Sequence, residues 1–253
     1  MIKVSIIGSG NVAHHLARAF ETSPEAHLLQ ILVRDPANAK NFPFKDKIIH
    51  NIDNLLEADL YIIAVSDSAV TSVSESLKFT GRMVAHTSGS IPLTGLNAKN
   101  RRGVFYPLQT FSKEKAIDFH EVPLCLESEN PADYDILEKA ANAISRNIFS
   151  INSEQRKALH VAAVFASNFT NHMYVLAAEL CEQHEVPFEI LQPLIRETAN
   201  KVQTLNPLQA QTGPAIRHDL STIDAHLQML HDQDYTTIYK MLTQSIQKHG
   251  KKL

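Results

Sequence analysis

The N-terminal stretch restricts the fold of this chain more than any other part of the sequence. The apolar, β-rich run Ile2 to Ile7 stops at Gly8, and from there the residues read G-x-G-x-x-A before helix-forming residues begin. Gly8 permits a tight turn at the strand end, Gly10 has no Cβ to hold a pyrophosphate away from the backbone, and Ala13 lets the helix pack closely on the strand. This order of strand, turn and helix predicts a dinucleotide-binding motif. A glycine turn in some other α/β fold is the alternative.

The same turn predicts where a negatively charged group would bind. The backbone N–H groups near Asn11 and Val12 lie at a helix N-terminus, where they have no intrahelical partner and where the helix dipole favours an anion. We therefore expect the pyrophosphate of a dinucleotide to be held by Gly8, Ser9, Gly10, Asn11 and Val12.

Composition limits the class of protein. The chain has 253 residues, 44% of them hydrophobic and 20% charged, with a formal net charge of −3, which allows one large globular domain or two modest ones. This charge balance argues against nucleic acid and anionic membranes as partners, and no apolar run approaches the roughly 20 residues that span a bilayer. A first strand at residue 2 leaves no room for a signal peptide. Cys125 and Cys181 lack the spacing of a metal site, so we expect buried thiols, no metal and a cytoplasmic protein.

Apolar runs alternate with helical patterns over roughly the first 150 residues, and no further strand pattern follows Ser153. This alternation predicts a doubly wound, mostly parallel α/β sheet followed by an all-α C-terminal domain. We place the boundary near residue 152, which gives a dinucleotide-binding domain at 1–152 and a helical domain at 153–253. The predicted strands cover residues 2–7, 28–33, 47–50, 59–65, 82–86, 103–106, 122–126 and 147–151.

The end of the second predicted strand bears on the choice between NADP and NAD. In dinucleotide-binding sheets this strand end meets the adenosine ribose, where an acidic residue binds the 2′-hydroxyl of NAD and an arginine accommodates the 2′-phosphate of NADP. Arg34 and Asp35 are both present, and Asp35 before Pro36 also fits the N-cap of a helix. We favour NADP as the cofactor, with NAD as the alternative. Arg34 could instead be a solvated loop charge.

Three further predicted strand ends should open onto the same crevice. Val65, Ser66 and Asp67 leave the fourth strand and are candidate cofactor residues, although serine and aspartate are also common helix caps. The fifth and sixth strands end in residues 87–90 and 107–111, which should lie near the nicotinamide. From these two segments we select Ser88 as a catalytic candidate that lines the substrate side. We also place Gln109 and Thr110 on the substrate side.

A long helix predicted over residues 157–183 is apolar nearly all round, so we expect it to be buried. At 100° per residue, His160, Ser167 and Asn171 fall within an arc of roughly 40°, with Asn168 close to it. Unpaired buried polar groups cost roughly 1–3 kcal/mol each, so this polar seam needs a ligand, water or other side chains. A long helix after such a sheet commonly closes over the nicotinamide, which favours a catalytic seam. A satisfied hydrogen-bond network between helices is the alternative.

The whole chain resembles the predicted oxidoreductases that join a Rossmann-like domain to a helical C-terminal domain of uncharacterised function, within the 6-phosphogluconate dehydrogenase-like group. The glycine motif is generic to that group, whereas the other four matching motifs are fairly specific. More distant relatives include pyrroline-5-carboxylate reductase, deazaflavin-dependent NADP reductase and the ketopantoate and β-hydroxyacid dehydrogenases. The matching motifs are Gly8–Ala13, His86–Gly89, Pro107–Phe111, Phe165–His172 and Gln211–Arg217.

The resemblance implies an NAD(P)-dependent reductase that is often dimeric through its helical domain, so residues 153–253 would serve substrate binding and dimerisation. The ketopantoate and hydroxyacid relatives use a helix lysine with an asparagine four residues further on. In this chain Lys157 lies only at the start of the long helix, and no lysine occurs deeper in the seam. The lysine–asparagine pair of those relatives therefore has no match here.

Residues and resemblance together predict an NADP-dependent reductase that passes hydride to a small polar carbonyl, such as a 2-oxo acid of the ketopantoate type, or to an imine. A carbonyl acceptor needs a proton as the alkoxide forms, and a histidine suits that role. His160 is the first candidate, and Asn168 and Asn171 would orient the oxygen. Arg217 either pairs with a substrate carboxylate or is a surface or dimer-interface arginine. The alternatives are a non-catalytic dinucleotide-binding sensor or scaffold, and hydride transfer between NADP and a deazaflavin.

Overall fold

The structure is a computed structural model that describes residues 1–40, 42, 44–113 and 115–250. The chain divides into two compact units, Met1–Asn168 and Phe169–Leu253. The first unit contains a β-sheet and extends beyond it through one further helix, whereas the sequence places the domain boundary near residue 152. That the residues after 152 form a separate substrate and dimerisation domain stays a prediction.

The described part of the first unit forms one eight-stranded sheet. Its strands are β1 Ile2–Ile7, β2 Ala26–Leu32, β3 Ile48–Ile49, β4 Leu60–Ile63, β5 Met83–His86, β6 Arg101–Pro107, β7 Leu124–Ser128 and β8 Ile148–Ser150. They lie in the order β3-β2-β1-β4-β5-β6-β7-β8. Strands β1 to β6 are parallel, β7 is antiparallel to β6, and β8 is parallel to β7. The order 3-2-1-4-5-6 is that of a doubly wound Rossmann sheet, which confirms the predicted fold class.

Strand β4 shows why the centre of this sheet reads as a continuous apolar run. Successive side chains of a strand point to opposite faces. Leu60 and Ile62 therefore enter the core on one face of the sheet, and Tyr61 and Ile63 enter the core on the other. All four side chains are buried, as expected for a parallel strand that is covered on both faces.

Helices cover these two faces. Leu16 and Phe20 of the first helix and Leu137 of the fourth have no exposed surface and belong to one core, whereas Val70 of the third helix belongs to the other. The helices of the first unit are α1 Asn11–Thr22, α2 Pro36–Ala39, α3 Asp67–Ser76, α4 Pro131–Asn142 and α5 Ser153–Ala163.

The long helix predicted over residues 157–183 is present but interrupted. Helix α5 begins before residue 157, because Asn152 and Gln155 form a reciprocal capping box. A π-helical turn, Val164–Phe169, follows it, and α6 Thr170–Gln183 continues the chain. The expectation that this helix is buried is wrong for the single chain, since Arg156 is the only buried residue described along it.

All described secondary-structure elements of the second unit are helices, as predicted. Its core is small: Ala215 and Ile223 are its only described buried residues, while large apolar side chains such as Ile190 and Met241 are each 65% exposed. Its helices are α6, α7 Gln192–Thr204, α8 Pro207–Ala210, α9 Leu220–Met229 and α10 Gln233–Gly250. Among the described helices, none is both long and apolar enough to cross a membrane.

Candidate functional site

A cleft of about 990 Å³ opens where the strand order reverses between β1 and β4. Ligands of open α/β sheets bind at this point, outside the carboxyl ends of the strands. Asp67 is not among the residues that line the cleft; it is exposed in the first turn of α3. The other predicted cofactor residues all line it, namely Gly8, Ser9, Gly10, Asn11, Val12, Arg34, Val65 and Ser66.

The two glycines of the turn are required for different reasons. Gly8 has φ +139°, and a Cβ there would lie 2.0 Å from the carbonyl oxygen of Ala64, so only glycine fits between the ends of β1 and β4. A Cβ on Gly10 would meet no protein atom within 4 Å. The space beside Gly10 is therefore open to the cleft, and a ligand could approach the backbone there.

The N-terminus of α1 carries the donors that this space exposes. Gly10 is the N-cap residue, and no side chain caps the helix. The Asn11 side chain instead donates a 2.8 Å hydrogen bond to the carbonyl oxygen of Phe111, in the segment after β6. The first amides of α1 are thus left without an intrahelical partner beside the cleft, and this arrangement fits a phosphate or pyrophosphate group.

The two candidate residues that follow β2, Arg34 and Asp35, differ in their contacts. The Asp35 carboxylate accepts a 2.9 Å hydrogen bond from the amide of Ala37 and caps α2. Arg34 and Asp35 are both exposed and both line the cleft. The capping bond uses only one carboxylate oxygen of Asp35, so the charges of both residues remain available to a ligand.

Sequence reasoning missed several lining residues, because it assigned no site residue to the short segment that directly follows the third strand. His50 follows β3, and its Nδ1 donates a 2.7 Å hydrogen bond to the carbonyl oxygen of Val33. The position of β3 beside β2 was the available signal, because the ends of parallel strands meet at one edge of the sheet. The lining residues outside the segments that were predicted to meet the crevice include Asn38, His50 and Asn51.

The segment after β5 is held by a buried histidine. His86 has no exposed surface, and its Nδ1 accepts a 3.1 Å hydrogen bond from the amide of Ser88. Burial, and secondly the charge of Arg156, lower the pKa of His86 to about 4. The Ser88 Oγ accepts hydrogen bonds of 3.0 Å from the amides of Ser90 and Ile91, so this hydroxyl stabilises the turn. A catalytic role for Ser88 stays a prediction.

After β6, the predicted substrate residues differ in position. Gln109 lines the cleft, and its side-chain oxygen accepts a 2.8 Å hydrogen bond from the amide of Thr110. Thr110 is exposed and is not among the lining residues. Only the first of these two residues therefore faces the pocket in this structure.

His160, the predicted proton donor, lies on α5 and is half-buried. Its Nδ1 is 3.1 Å from the hydroxyl oxygen of Tyr106, which is buried at the end of β6. Sequence reasoning assigned Tyr106 only to a strand. Its position at the carboxyl end of that strand, three residues before Gln109, was the signal that could have found it.

A buried ion pair attaches α5 to the sheet. The Arg156 side chain has no exposed surface and pairs with Glu127 of β7. It also donates a 2.6 Å hydrogen bond to the carbonyl oxygen of Ile91, while Ser153 Oγ donates to the Glu127 carboxylate at 2.9 Å. These contacts fix α5 one helical turn before His160 and tie it to the segment after β5.

The remaining predicted residues are exposed. Asn168 lies in the π-helical turn at the end of the first unit, and Ser167 beside it is half-buried. Asn171 and Arg217 belong to the second unit, where both are exposed. Their catalytic and substrate roles stay predictions. The described residues contain no group of three or more His, Cys, Asp or Glu side chains that could hold a metal ion.

Comparison with known proteins places the chain in a family. A family model described as a domain of unknown function, DUF2520, matches residues 122–246. A crystal structure from Bacteroides fragilis, provisionally called an NADP oxidoreductase, has 38% sequence identity, a TM-score of 0.87 and coverage of 98% of both chains. No curated protein matches the sequence.

Two less similar structures share the fold. A protein from Thermotoga maritima is 19% identical, covers 98% of both chains and has a TM-score of 0.75. The pyrroline carboxylate reductase of Plasmodium falciparum, crystallised with NADP, is 13% identical, covers 98% of both chains and has a TM-score of 0.60. Since the Bacteroides identity spans nearly the full length of both proteins, this chain belongs to the family of NAD(P) oxidoreductases that combine a Rossmann-like N-terminal part with a DUF2520 region, which ends in helices.

Proposed function

We propose that this protein is an NADP-dependent reductase that transfers hydride to a small polar carbonyl, such as a 2-oxo acid of the ketopantoate type, or to an imine. One observation carries the proposal. The cleft is lined by an open helix N-terminus at Gly10, by the exposed cation Arg34, and by Thr87 and Gln109, which lie two and three residues from the His160 neighbours Gly89 and Tyr106. A dinucleotide needs donors for its pyrophosphate, and the reaction needs a proton source near its reacting end.

The binding part of the proposal rests on backbone groups. The amides at the start of α1 would hold the pyrophosphate, and the empty space beside Gly10 supports this because a phosphate oxygen has to come close to the backbone. Arg34 would pair with the 2′-phosphate, and its exposed position in the lining of the cleft supports NADP as the cofactor. Val65, Ser66 and Asp67 would complete the rim.

The chemical part rests on side chains. NADPH, when bound, supplies the hydride, while the protein positions the acceptor and provides the proton. His160 would give a proton to the oxygen of the acceptor, with Asn168 and Asn171 orienting that oxygen. Ser88, Gln109 and Thr110 would contact the substrate. Arg217 would pair with a substrate carboxylate, whose geometry a guanidinium matches in a bidentate manner.

We also propose a homodimer formed through the helical part of the chain. Exposed apolar side chains in the second unit support it: Ile190, Leu194 and Met241 are each more than 60% exposed, and isolated single copies seldom leave this much apolar surface to water. The two cysteines are free, which supports a cytoplasmic location.

The test measures binding first and turnover second. Fluorescence titration of wild type should show NADPH binding, whereas Gly10→Val should raise the Kd for NADPH about 100-fold or more, because it removes about two charge-assisted hydrogen bonds worth 1.5–3 kcal/mol each. The melting temperature of the apo variant should change little, since no protein atom lies where the side chain begins. A variant that binds NADPH normally would contradict the dinucleotide site.

Turnover then separates the candidate reactions. NADPH oxidation should be followed with a panel of 2-oxo acids, cyclic imines and a deazaflavin. We expect activity with a 2-oxo acid or an imine. Activity with the deazaflavin alone would replace the proposed substrate class. Tight NADPH binding without oxidation by any member of the panel would favour a sensor or scaffold.

A further inference from the structure

The contact between Tyr106 and His160 joins two residues that are 54 positions apart. Tyr106 Oη lies 3.1 Å from His160 Nδ1, and the two rings meet edge to face with their centroids 6.2 Å apart. Among the described residues, this nitrogen is the only hydrogen-bond partner of the Tyr106 hydroxyl. The hydroxyl is therefore committed to one nitrogen of one imidazole.

Gly89 leaves the room that this contact needs. A Cβ at residue 89 would lie 2.6 Å from His160 Nδ1 and 3.0 Å from Tyr106 Cζ, so any other residue would push the imidazole away from the hydroxyl. Gly89 does not have a positive φ. Glycine is thus needed here for space rather than for backbone conformation, in contrast to Gly8.

The protonation of Tyr106 sets the direction of the hydrogen bond. Burial raises the pKa of Tyr106 to about 12, so its hydroxyl keeps its hydrogen at neutral pH. If that hydrogen did not point at Nδ1, it would have no acceptor among the described residues, and a buried unpaired donor costs roughly 1–3 kcal/mol. In the neutral imidazole, Tyr106 therefore donates to Nδ1, and the ring carries its own hydrogen on Nε2.

We propose that Tyr106 is the positioning residue of His160 and makes Nε2 the nitrogen that exchanges protons with the substrate; this inference rests on the proposed function. When the ring is protonated, Nδ1–H donates to the phenol oxygen, which can accept as well as donate. The Nε2 proton then moves to the acceptor oxygen while hydride reaches the acceptor carbon, and the neutral ring that remains carries its hydrogen on Nδ1. Proton exchange with solvent at Nε2 recharges the ring for the next turnover, and loss of the Nδ1 hydrogen restores the resting form in which Tyr106 donates to Nδ1. Tyr106 itself stays protonated throughout.

The first test is spectroscopic and needs no substrate. Nitrogen NMR on protein labelled with ¹⁵N-histidine reports which ring nitrogen carries the hydrogen, and His160→Gln identifies the His160 signals by their loss. We expect the Nε2–H form of His160 in wild type and a mixture of both forms in Tyr106→Phe. Tyr61→Phe is the matched control, because Tyr61 is also buried and its hydroxyl bonds only the backbone of Leu56 and Ala58. Identical spectra of wild type and Tyr106→Phe would overturn the inference.

The second test is kinetic. Tyr106→Phe and Gly89→Ala should each lower kcat about 10- to 100-fold, the scale expected when a catalytic group is misplaced. The Kd for NADPH should stay unchanged, and Tyr61→Phe should keep the wild-type kcat. If His160→Gln loses turnover while Tyr106→Phe keeps it, the positioning role is wrong and the proposed function stands. If wild type turns over no substrate, the proposed function fails, and the spectra still decide the role of Tyr106.

Discussion

The two candidate regions of the first unit, the glycine turn and the surroundings of His160, are built in different ways. At the glycine-turn end, one continuous stretch, residues 7–12, supplies a strand end, a turn and the first amides of α1. At the His160 end, Gly89, Tyr106 and His160 come from three segments that are far apart in the sequence. The first end acts through backbone groups, so it depends on conformation. The second acts through side chains, so it depends on how β5, β6 and α5 pack together.

This difference separates binding from chemistry. Changes at the first end should alter stability or cofactor affinity, whereas changes at the second should alter turnover or its response to pH. Three glycines illustrate the contrast. Gly8 is required by its positive φ and by the nearby backbone oxygen of Ala64, whereas Gly89 is required by the neighbouring His160 imidazole. Beside Gly10 there is only open space, so a side chain there would affect a bound ligand and not the fold.

The largest effect should come from Gly8→Ala. The new Cβ would lie 2.0 Å from a backbone oxygen at φ +139°, and strain and overpacking of roughly 1–3 kcal/mol each should together lower the free energy of unfolding by roughly 2–6 kcal/mol. Gly10→Ala is the matched control and should cost less than about 1 kcal/mol. Urea denaturation of both apo variants makes the comparison, and equal losses would show that the two glycines do not have separate roles.

In the second region, His160→Ala should lower turnover by roughly 10²–10⁴-fold, the usual contribution of a positioned acid or base. The Kd for NADPH should barely change, since the imidazole would act on the substrate. Single-turnover rates and NADPH titrations check the two expectations, and melting curves of the same preparations show that the variant is folded. A stable variant with full turnover would exclude His160 as the proton donor, and His172 and Ser88 would be the next candidates.

Acid should destabilise the β5 end specifically. The pKa of His86 is about 4 in the folded chain and 6.5 in the unfolded chain, mainly because the folded side chain is buried. Between these values the unfolded chain binds the proton and the folded chain does not, so stability falls as pH drops from 6.5 to 4, by about 3 kcal/mol in total. Denaturation of wild type and His86→Asn at several pH values tests this. In His86→Asn, the free energy of unfolding should depend much less on pH. The remaining pH dependence comes from His14, because burial also lowers the pKa of that side chain. Equal pH dependence in wild type and variant would refute the role of His86.

The smallest effect concerns the adenosine side of the binding end. Arg34→Ala should weaken NADPH binding by about 1.5–3 kcal/mol, or about 10- to 150-fold, and should leave NADH binding nearly unchanged. Asp35→Ser is the control, because serine can still cap α2 and should leave both affinities near wild type. Fluorescence titrations of the three proteins with each dinucleotide give the comparison. A wild type without preference would mean that Arg34 does not select the cofactor.

Sequence reasoning predicted the strand, turn and helix at the start of the chain well, because their signals are local. The strand–turn–helix order around Gly8 and Gly10 is written in consecutive residues, and the buried strands read as apolar runs, of which β4 is the clearest. The predicted third strand at 47–50 is shorter in the structure, since Lys45–Lys47 forms a 3-10 turn. His50 follows β3 and lines the cleft, but the sequence analysis assigned it no role. Only strand pairing shows that β3 lies beside β2.

The polar seam of the long helix shows what periodicity leaves open. The spacing of His160 and Asn171 predicts one polar face on an apolar helix, but the π-helical turn Val164–Phe169 lies between them, and a pattern along one helix does not state what packs against it. In the single chain this helix is largely exposed. The position of Tyr106 at the end of β6 could be read from the sequence, but its contact with His160 could not, since nothing in the local sequence of β6 indicates a residue 54 positions later.

The sequence by itself therefore determined the α/β class, the glycine turn and the position of Arg34, because backbone geometry at a strand end depends on a few adjacent residues. The tertiary structure decided the rest: that Asp35 is a cap, that Ser88 stabilises a turn, and that Gly89 and Tyr106 enclose the His160 ring. Such contacts depend on the packing of distant segments. The burial that shifts the pKa values of His86 and Tyr106 likewise exists only once those segments are folded together.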